Sequence, residues 1–395
     1  MKYTPSSPET KLIRNLLFAG QNYIPDSPYN WHKFVHCGYE EDVAAVLFYL
    51  LKKRVLTGRV PLVYSQALAR RFHQNLISNL SLRGHLKLVL AMLNECGAPH
   101  LLLKGFALAE YIYPSIAMRG MSDVDLLIRK SDLTIIDSCL RGFGYGAVDV
   151  DSHPDLITPE GYLSSLEYRQ PNVGSPILHI HWHPVNTSVP AFVFSKFMNV
   201  DRLWQFARMV QLDNVESRIL APEHLLICLC EHALRINHSF NRLILVYDLQ
   251  QVLTTCKDQL DWEFVVQESE DFHLTDLVYF GLAAMEHLSP GSVPSRIMDR
   301  LRPDRLTWEQ RFFQYLQSHG FRIRGSSYLL YLAMNTGVKG KGHFMYRTLF
   351  PPAAIQGQRK RARISDTSFP VHYSRFGEIF RQLIYTVTQG IRRRY

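Results

Sequence analysis

Two carboxylates one residue apart, Asp123 and Asp125, open the apolar run Asp-Val-Asp-Leu-Leu-Ile. On a strand, the period of two points both acids to one face and Val124 and Leu126 to the other. A pair held in this way is a ligand set for Mg²⁺, which takes oxygen from one or two carboxylates and completes its octahedron with water and substrate phosphates. Upstream, Leu101-Leu102-Leu103 reads as a strand, Lys104-Gly105 as a turn, and Phe106 to Tyr113 as a helix stopped by Pro114. A helix N-terminus behind a glycine turn offers unpaired N–H groups and the positive dipole end to phosphate. Lys104 and Arg119 add positive charge, and Ser122 adds a hydroxyl. Acid ligands for a cation beside basic groups for polyphosphate describe a nucleoside triphosphate (NTP) site with Mg²⁺, or Mn²⁺, as its ion. A plainer reading of the same residues is a strand-end turn in which Asp123 caps nearby amides and Asp125 pairs with Arg119.

Downstream, His179, His181 and His183 alternate with Ile180 and Trp182, so on a strand all three imidazoles share one face. Three imidazoles can ligate a transition metal, but same-face residues on one strand are about 6–7 Å apart, longer than one tetrahedral ion spans. His181 is therefore expected to hydrogen-bond a carboxylate or phosphate, and His183 to begin a turn at Pro184. Two later segments, Glu223 to Ile236 and Arg242 to Thr254, have apolar residues at helical spacing interrupted by Glu231, His232, Arg242 and Asp248. His232 reads as a buried histidine satisfied by a neighbour such as Asp248, or as a catalytic group in the cleft.

These pieces together resemble a known family. Leu103-Lys104-Gly105, Tyr113-Pro114, Arg119 and Met121 to Leu127 look like the signature of the uncharacterised bacterial nucleotidyltransferase-like family of the DNA polymerase β superfamily. His179-Ile180-His181-Trp182, Pro222 to Leu226, Glu231-His232, Arg242-Leu243, Asp248 and Phe350-Pro351-Pro352 resemble its later parts, so the likeness runs from about residue 85 to the C-terminus. The resemblance implies metal-dependent transfer of a nucleoside monophosphate from an NTP to a small-molecule, peptide or protein acceptor, in a biosynthetic setting. It implies Asp123, Asp125 and Arg119 as catalytic, Lys104, Gly105 and Ser122 as nucleotide-binding, and His181, His232, Arg242 and Asp248 as cleft-lining. Where the superfamily brings a third metal-binding carboxylate from a neighbouring strand, this chain has His179. Imidazole is a poor ligand for Mg²⁺ and a good one for softer ions. Three outcomes stay open: a one-metal enzyme, a softer metal, or a nucleotide-binding accessory protein that has lost transfer. Glu167 or Asp248 is also a candidate stand-in for the missing acid.

At 395 residues the chain is long enough for two or three domains, and 47% hydrophobic with 20% charged residues is the balance of a globular protein. The net charge of +9 favours acidic partners. Part of it clusters at Arg359-Lys360-Arg361, Arg363 and Arg392 to Arg394, which reads as a solvated basic tail or, as a third functional reading, an RNA contact. No aromatic and basic interleaving for base stacking accompanies it, which ranks an RNA acceptor below the others. Six cysteines without a Cys-x-x-Cys pair or a signal peptide read as reduced thiols of a cytoplasmic protein. No apolar stretch approaches the ~18 residues of a membrane helix.

The elements that must position these groups follow from periodicity and punctuation. Helices are expected from Pro8 to Phe18 capped by Ser6 or Ser7, Glu41 to Leu51, Val63 to Leu82, Leu86 to Glu95 and, after Ser131, to Leu140, with a last one at about Phe376 to Thr388. The expected fold is α+β: a small mixed-sheet nucleotidyltransferase core at 85–200, an N-terminal helical region at 1–84, a helical domain at 201–340 and a basic loop and helix at 341–395.

Overall fold

The computed structural model describes residues 7–148, 164–171, 175–185, 198–235, 242–318, 326–335 and 337–349. The expected last helix, the arginine clusters and Phe350-Pro351-Pro352 lie outside them. The strands are β1 (Leu101–Leu102), β2 (Asp123–Leu127), β3 (Gly146–Ala147), β4 (Ser165–Arg169), β5 (Ile177–His181), β6 (Arg208–Leu212) and β7 (Val215–Ile219). They form one mixed sheet in the order β3-β4-β5-β2-β1-β7-β6, so the α+β expectation is met. Central β2 runs antiparallel to β1 and parallel to β5, with Asp125 opposite His179 and Leu127 opposite His181. On the other side of β5, β4 pairs antiparallel and sets Glu167 opposite His179.

Strand alternation gives the sheet two different faces. Val124, Leu126, Leu166, Tyr168, Leu178 and Ile180 are buried in one cluster with Leu86, Val89, Leu90, Leu93, Ile136 and Leu140. Those partners belong to α4 (Leu62–Glu95) and α6 (Leu133–Gly142). Each large apolar side chain buried in this way stabilises the fold by about 1.5–3 kcal/mol, which locks the register and forces the odd-numbered acids and histidines onto the opposite face.

The expected helices at 63–82 and 86–95 are a single helix of 34 residues, continuous through Gly84. Periodicity on both sides of the glycine is in phase, so burial of one stripe outweighs the ~1 kcal/mol that glycine costs a helix. By length and composition alone one 18-residue window of α4 has the mean hydropathy, 1.2, of a membrane-crossing helix, but the helix carries Arg83, His85 and Lys87 and packs its buried stripe on the sheet. β6 and β7 were also unexpected. Alternation in Arg208 to Leu212 and Val215 to Ile219 about Asp213-Asn214 is a hairpin signal, and this hairpin completes the sheet from within the segment read as helical.

At the N-terminus α1 (Pro8–Phe18) has the expected Ser7 cap, followed by α2 (Trp31–Glu40) and α3 (Ala44–Lys53). Their core residues Leu12, Phe34 and Leu47 join a second apolar cluster with Leu245, Leu249 and Val252 of the helix Leu243–Thr255. Glu41 fastens the two regions: its carboxylate accepts from Leu243 N–H at 2.7 Å and its carbonyl from Ile244 N–H at 3.2 Å, capping that helix. The reading of all six cysteines as free thiols is corrected in one pair. Cys96, at the end of α4, and Cys139, on α6, are joined as a disulfide, while Cys37, Cys228, Cys230 and Cys256 are free and buried. Packing of α4 against α6 brings the pair together, which spacing along the chain does not disclose.

Candidate active site

Asp123 and Asp125 project from β2 into a cavity of about 1020 Å³. Lys104, Gly105, Arg119, Ser122, His179, His181, His232 and Arg242 also line it. The predicted residues therefore converge, although they come from segments up to 138 positions apart, counted from Lys104 to Arg242. Asp248 alone is not at the cavity wall; it is buried, with 1% of its surface exposed.

The acidic side is a ledge across three strands. His181 Nε2 lies 2.8 Å from Asp125 Oδ1, as expected for a histidine that meets a carboxylate. His179 Nδ1 lies 3.4 Å from Asp123 Oδ2 and 3.5 Å from Asp125 Oδ1, and its Nε2 lies 3.6 Å from Glu167 Oε2. His183 stands apart beyond the strand end, where its Nδ1 accepts from Val185 N–H at 3.1 Å. Thus Glu167, and not Asp248, is the extra carboxylate within reach of the position where an acid is missing.

Burial of Asp125 opposes its charge, but hydrogen bonds from His179 and His181 and the nearby Lys104 outweigh that and hold its pKa well below the usual carboxylate range. For His179 the desolvation that would lower its pKa is likewise outweighed by Asp125, Asp123 and Glu167, and the net shift is upward. His181 is more deeply buried, and there desolvation prevails over Asp125 and lowers its pKa. The two imidazoles of the pair are thus shifted in opposite directions.

The basic side is built by α5 (Lys104–Tyr111) and the helix Pro222–Leu234. Lys104 enters α5 at φ +21°, an uncommon backbone for a residue with a side chain, and is almost fully buried. Its Nζ lies 3.4 Å from His232 Nδ1, which corrects the expectation of a His232–Asp248 pair. Burial, then the charge of Arg235, lowers the Lys104 pKa. Arg235, which sequence reading did not single out, lines the same wall and is held by Glu231 Oε2 at 2.6 Å and the Pro184 carbonyl at 3.0 Å. The signal for it was the i,i+4 spacing from Glu231.

Arg119 does not pair with Asp125, as the strand-end turn reading would have it. Its Nε and Nη2 donate to Asp248 Oδ1 and Oδ2 at 2.9 and 3.0 Å, and Tyr113 Oη donates to Asp248 Oδ1 at 2.7 Å. Burial works against the guanidinium charge, but Asp248 outweighs it and raises the pKa. Nη1 donates to the Gly120 carbonyl at 3.3 Å and lies beside Gly105, and Arg119 lines the cavity. Arg242 is ion-paired with Asp42 at the cavity rim.

The loop carrying Arg119 is set by α4. Asn79, fully buried, donates to the Ile116 and Arg119 carbonyls at 2.6 and 2.8 Å, and Asn75 donates to the Ala117 carbonyl at 3.2 Å. A Cβ on Gly120 would stand 3.2 Å from Asn75 Oδ1, so glycine permits this close approach. Asn79→Ala is expected to destabilise the fold by about 1–3 kcal/mol, because it strands two inward carbonyls. Urea unfolding checks this; an unchanged midpoint would remove Asn79 from the account.

The structure of an antigenic nucleotidyltransferase-like protein from Paracoccidioides brasiliensis is similar over 56% of this chain and 93% of its own, at 12% identity and a TM-score of 0.36, which is too distant to support an argument. No protein of curated function matches. A family model described as uncharacterised nucleotidyltransferase matches residues 27–290. The match starts well before residue 85, where the resemblance was expected to begin, and ends before the Phe350-Pro351-Pro352 tail. It takes in Glu41, Asn75 and Asn79, which fasten the helices and loop behind the site. With more than half of its 395 residues matched, the chain belongs to the uncharacterised nucleotidyltransferase family.

Proposed function

We propose that this protein transfers a nucleoside monophosphate from an NTP to an oxygen of a small-molecule, peptide or protein acceptor, releasing pyrophosphate, as enzymes of the DNA polymerase β superfamily do. The observation that carries this reading is the facing of an acidic ledge, Asp123 and Asp125, by a cationic wall of buried Lys104 and half-buried Arg119 and Arg235, across one cavity. The acceptor oxygen forms a bond to the α-phosphorus, the bond to the bridging oxygen breaks, and the acceptor proton passes to solvent. Such a displacement depends on positioning and electrostatics more than on covalent chemistry.

Two carboxylates fit a divalent cation, so Asp123 and Asp125 would hold it, and it would supply Lewis-acid stabilisation of the phosphoryl oxygens. Lys104 and Arg119, which both line the cavity, bind phosphate oxygens beside the start of α5, and Ser122 adds a hydroxyl. Burial of Lys104 strengthens each such contact by excluding water. Calorimetry with each NTP, followed by a pyrophosphate-release assay with Mg²⁺ or Mn²⁺, tests the reading. Release that depends on protein and on one NTP is the expected result.

A second reading has its own observation. His179 stands among Asp123, Asp125 and Glu167, where an imidazolium would occupy a cation's place. The protein would then bind nucleotide without transferring it, as an accessory component of a biosynthetic pathway. NTP binding with no pyrophosphate release under either ion would decide for this second reading.

A further inference from the structure

The donor atoms on the ledge do not match an all-oxygen magnesium site. Mg²⁺ is held by carboxylates, phosphates and water, whereas two of the side chains nearest Asp125 are imidazoles. One donor atom from each of Asp125, His179 and His181 lies within 4.8 Å of the other two. Two ligands bonded to the same ion at about 2.0–2.1 Å stand about 2.9 Å apart at a right angle and about 3.4 Å apart at the tetrahedral angle. The distances from Asp125 Oδ1 are 2.8 Å to His181 Nε2 and 3.5 Å to His179 Nδ1. Both contacts made by Asp125 therefore have the span of two ligands on one ion, and the two imidazole nitrogens, within 4.8 Å of each other, would close around it.

Parallel pairing removes the objection that same-strand histidines are too far apart. Their ring centroids are 6.2 Å apart, yet Asp125 reaches both from β2, so the ion would sit between strands. The other nitrogen of His181 is buried without a hydrogen-bonding partner among the described residues. No group among the described residues thus holds that ring in the tautomer that donates to Asp125. Asp123 Oδ2, 3.4 Å from His179 Nδ1, is close enough to join the set.

We propose that Asp125, His179 and His181 bind one first-row transition dication of the zinc or cobalt type, in preference to Mg²⁺. A mixed set of two imidazoles and a carboxylate suits such ions, and nitrogen ligation raises affinity along the series from manganese. The proposal deepens the nucleotidyl-transfer reading and rests on it for the ion's part in chemistry, but the site itself is tested without turnover.

Tag-free protein, stripped with chelator, is titrated calorimetrically with Zn²⁺ and Mg²⁺, and with Co²⁺ by visible absorption. One Zn²⁺ per chain is expected, bound at least about a hundredfold more tightly than Mg²⁺, with Co²⁺ bands of nitrogen ligation. His179→Gln should weaken Zn²⁺ at least about tenfold and shift the Co²⁺ spectrum. His179→Glu, which restores an all-oxygen neighbour for the aspartates, should move the preference toward Mg²⁺ and serves as a second variant should the first fail to fold. Equal affinity of the parent for the two ions, or a Co²⁺ spectrum that neither variant alters, would overturn the proposal. Magnesium-dependent turnover without a Zn²⁺ site would sink this inference and leave the transfer reading standing. A Zn²⁺ site in a protein without turnover would do the reverse.

Discussion

Asp125→Asn is expected to lower NTP-dependent pyrophosphate release by about a thousandfold or more while the protein stays folded. A cation at a phosphoryl-transfer site supplies several kcal/mol, and each loss of about 1.4 kcal/mol is a factor of ten in rate. Asparagine keeps the shape of the side chain but not its charge, so the hydrogen bond at His181 persists in weakened form. The apolar face of β2, carried by Val124 and Leu126, is untouched and should preserve the sheet. Asp123→Asn is expected to act in the same direction. Comparison of initial rates for parent and variants, with circular dichroism as the control for folding, checks both. Turnover by either variant within threefold of the parent would remove that carboxylate from the mechanism.

Asp248→Ala is expected to be the most destabilising single change near the site, by about 3–5 kcal/mol in urea unfolding. The carboxylate is 1% exposed and satisfies two nitrogens of Arg119 and the hydroxyl of Tyr113. Its removal leaves a mostly buried guanidinium without its counter-charge, and this uncompensated ion dominates the cost. A double replacement, Asp248→Leu with Arg119→Leu, should recover much of the stability, since a buried ion pair replaced by apolar groups is often near neutral. It should not recover nucleotide binding, because it removes a guanidinium from the cavity wall. A single-variant loss below about 1 kcal/mol would mean that the pair is not the anchor described.

Much of the site was legible in the order of residues because its parts are local. Alternation alone places Asp123 with Asp125, and His179 with His181, on single faces, since a strand has no other way to arrange neighbours. Lys104-Gly105 at the mouth of a helix is readable for the same reason, and burial of Val124, Leu126, Leu178 and Ile180 then turns both polar rows into the cavity. Partner choice was not legible. Asp248 could have met His232 and instead meets Arg119, while His232 meets Lys104, because those pairings depend on how two helices pack against α5. A role for the N-terminal region was equally hidden: Asn79 and Glu41 carry no motif, and their function lies in carbonyls and amides that only long-range packing brings near.

The sequence by itself determined the chemical character of this protein, a carboxylate pair and basic groups at the ends of short strands and helices, because side-chain type and period are properties of a local segment. Only the tertiary structure decided the composition of the acidic ledge. Parallel pairing of β2 with β5, across more than 50 residues of chain, sets Asp125 between two imidazoles and Glu167 beside His179. That register is chosen by the apolar face packed on α4 and α6, a sum over many distant contacts that no short window of sequence contains.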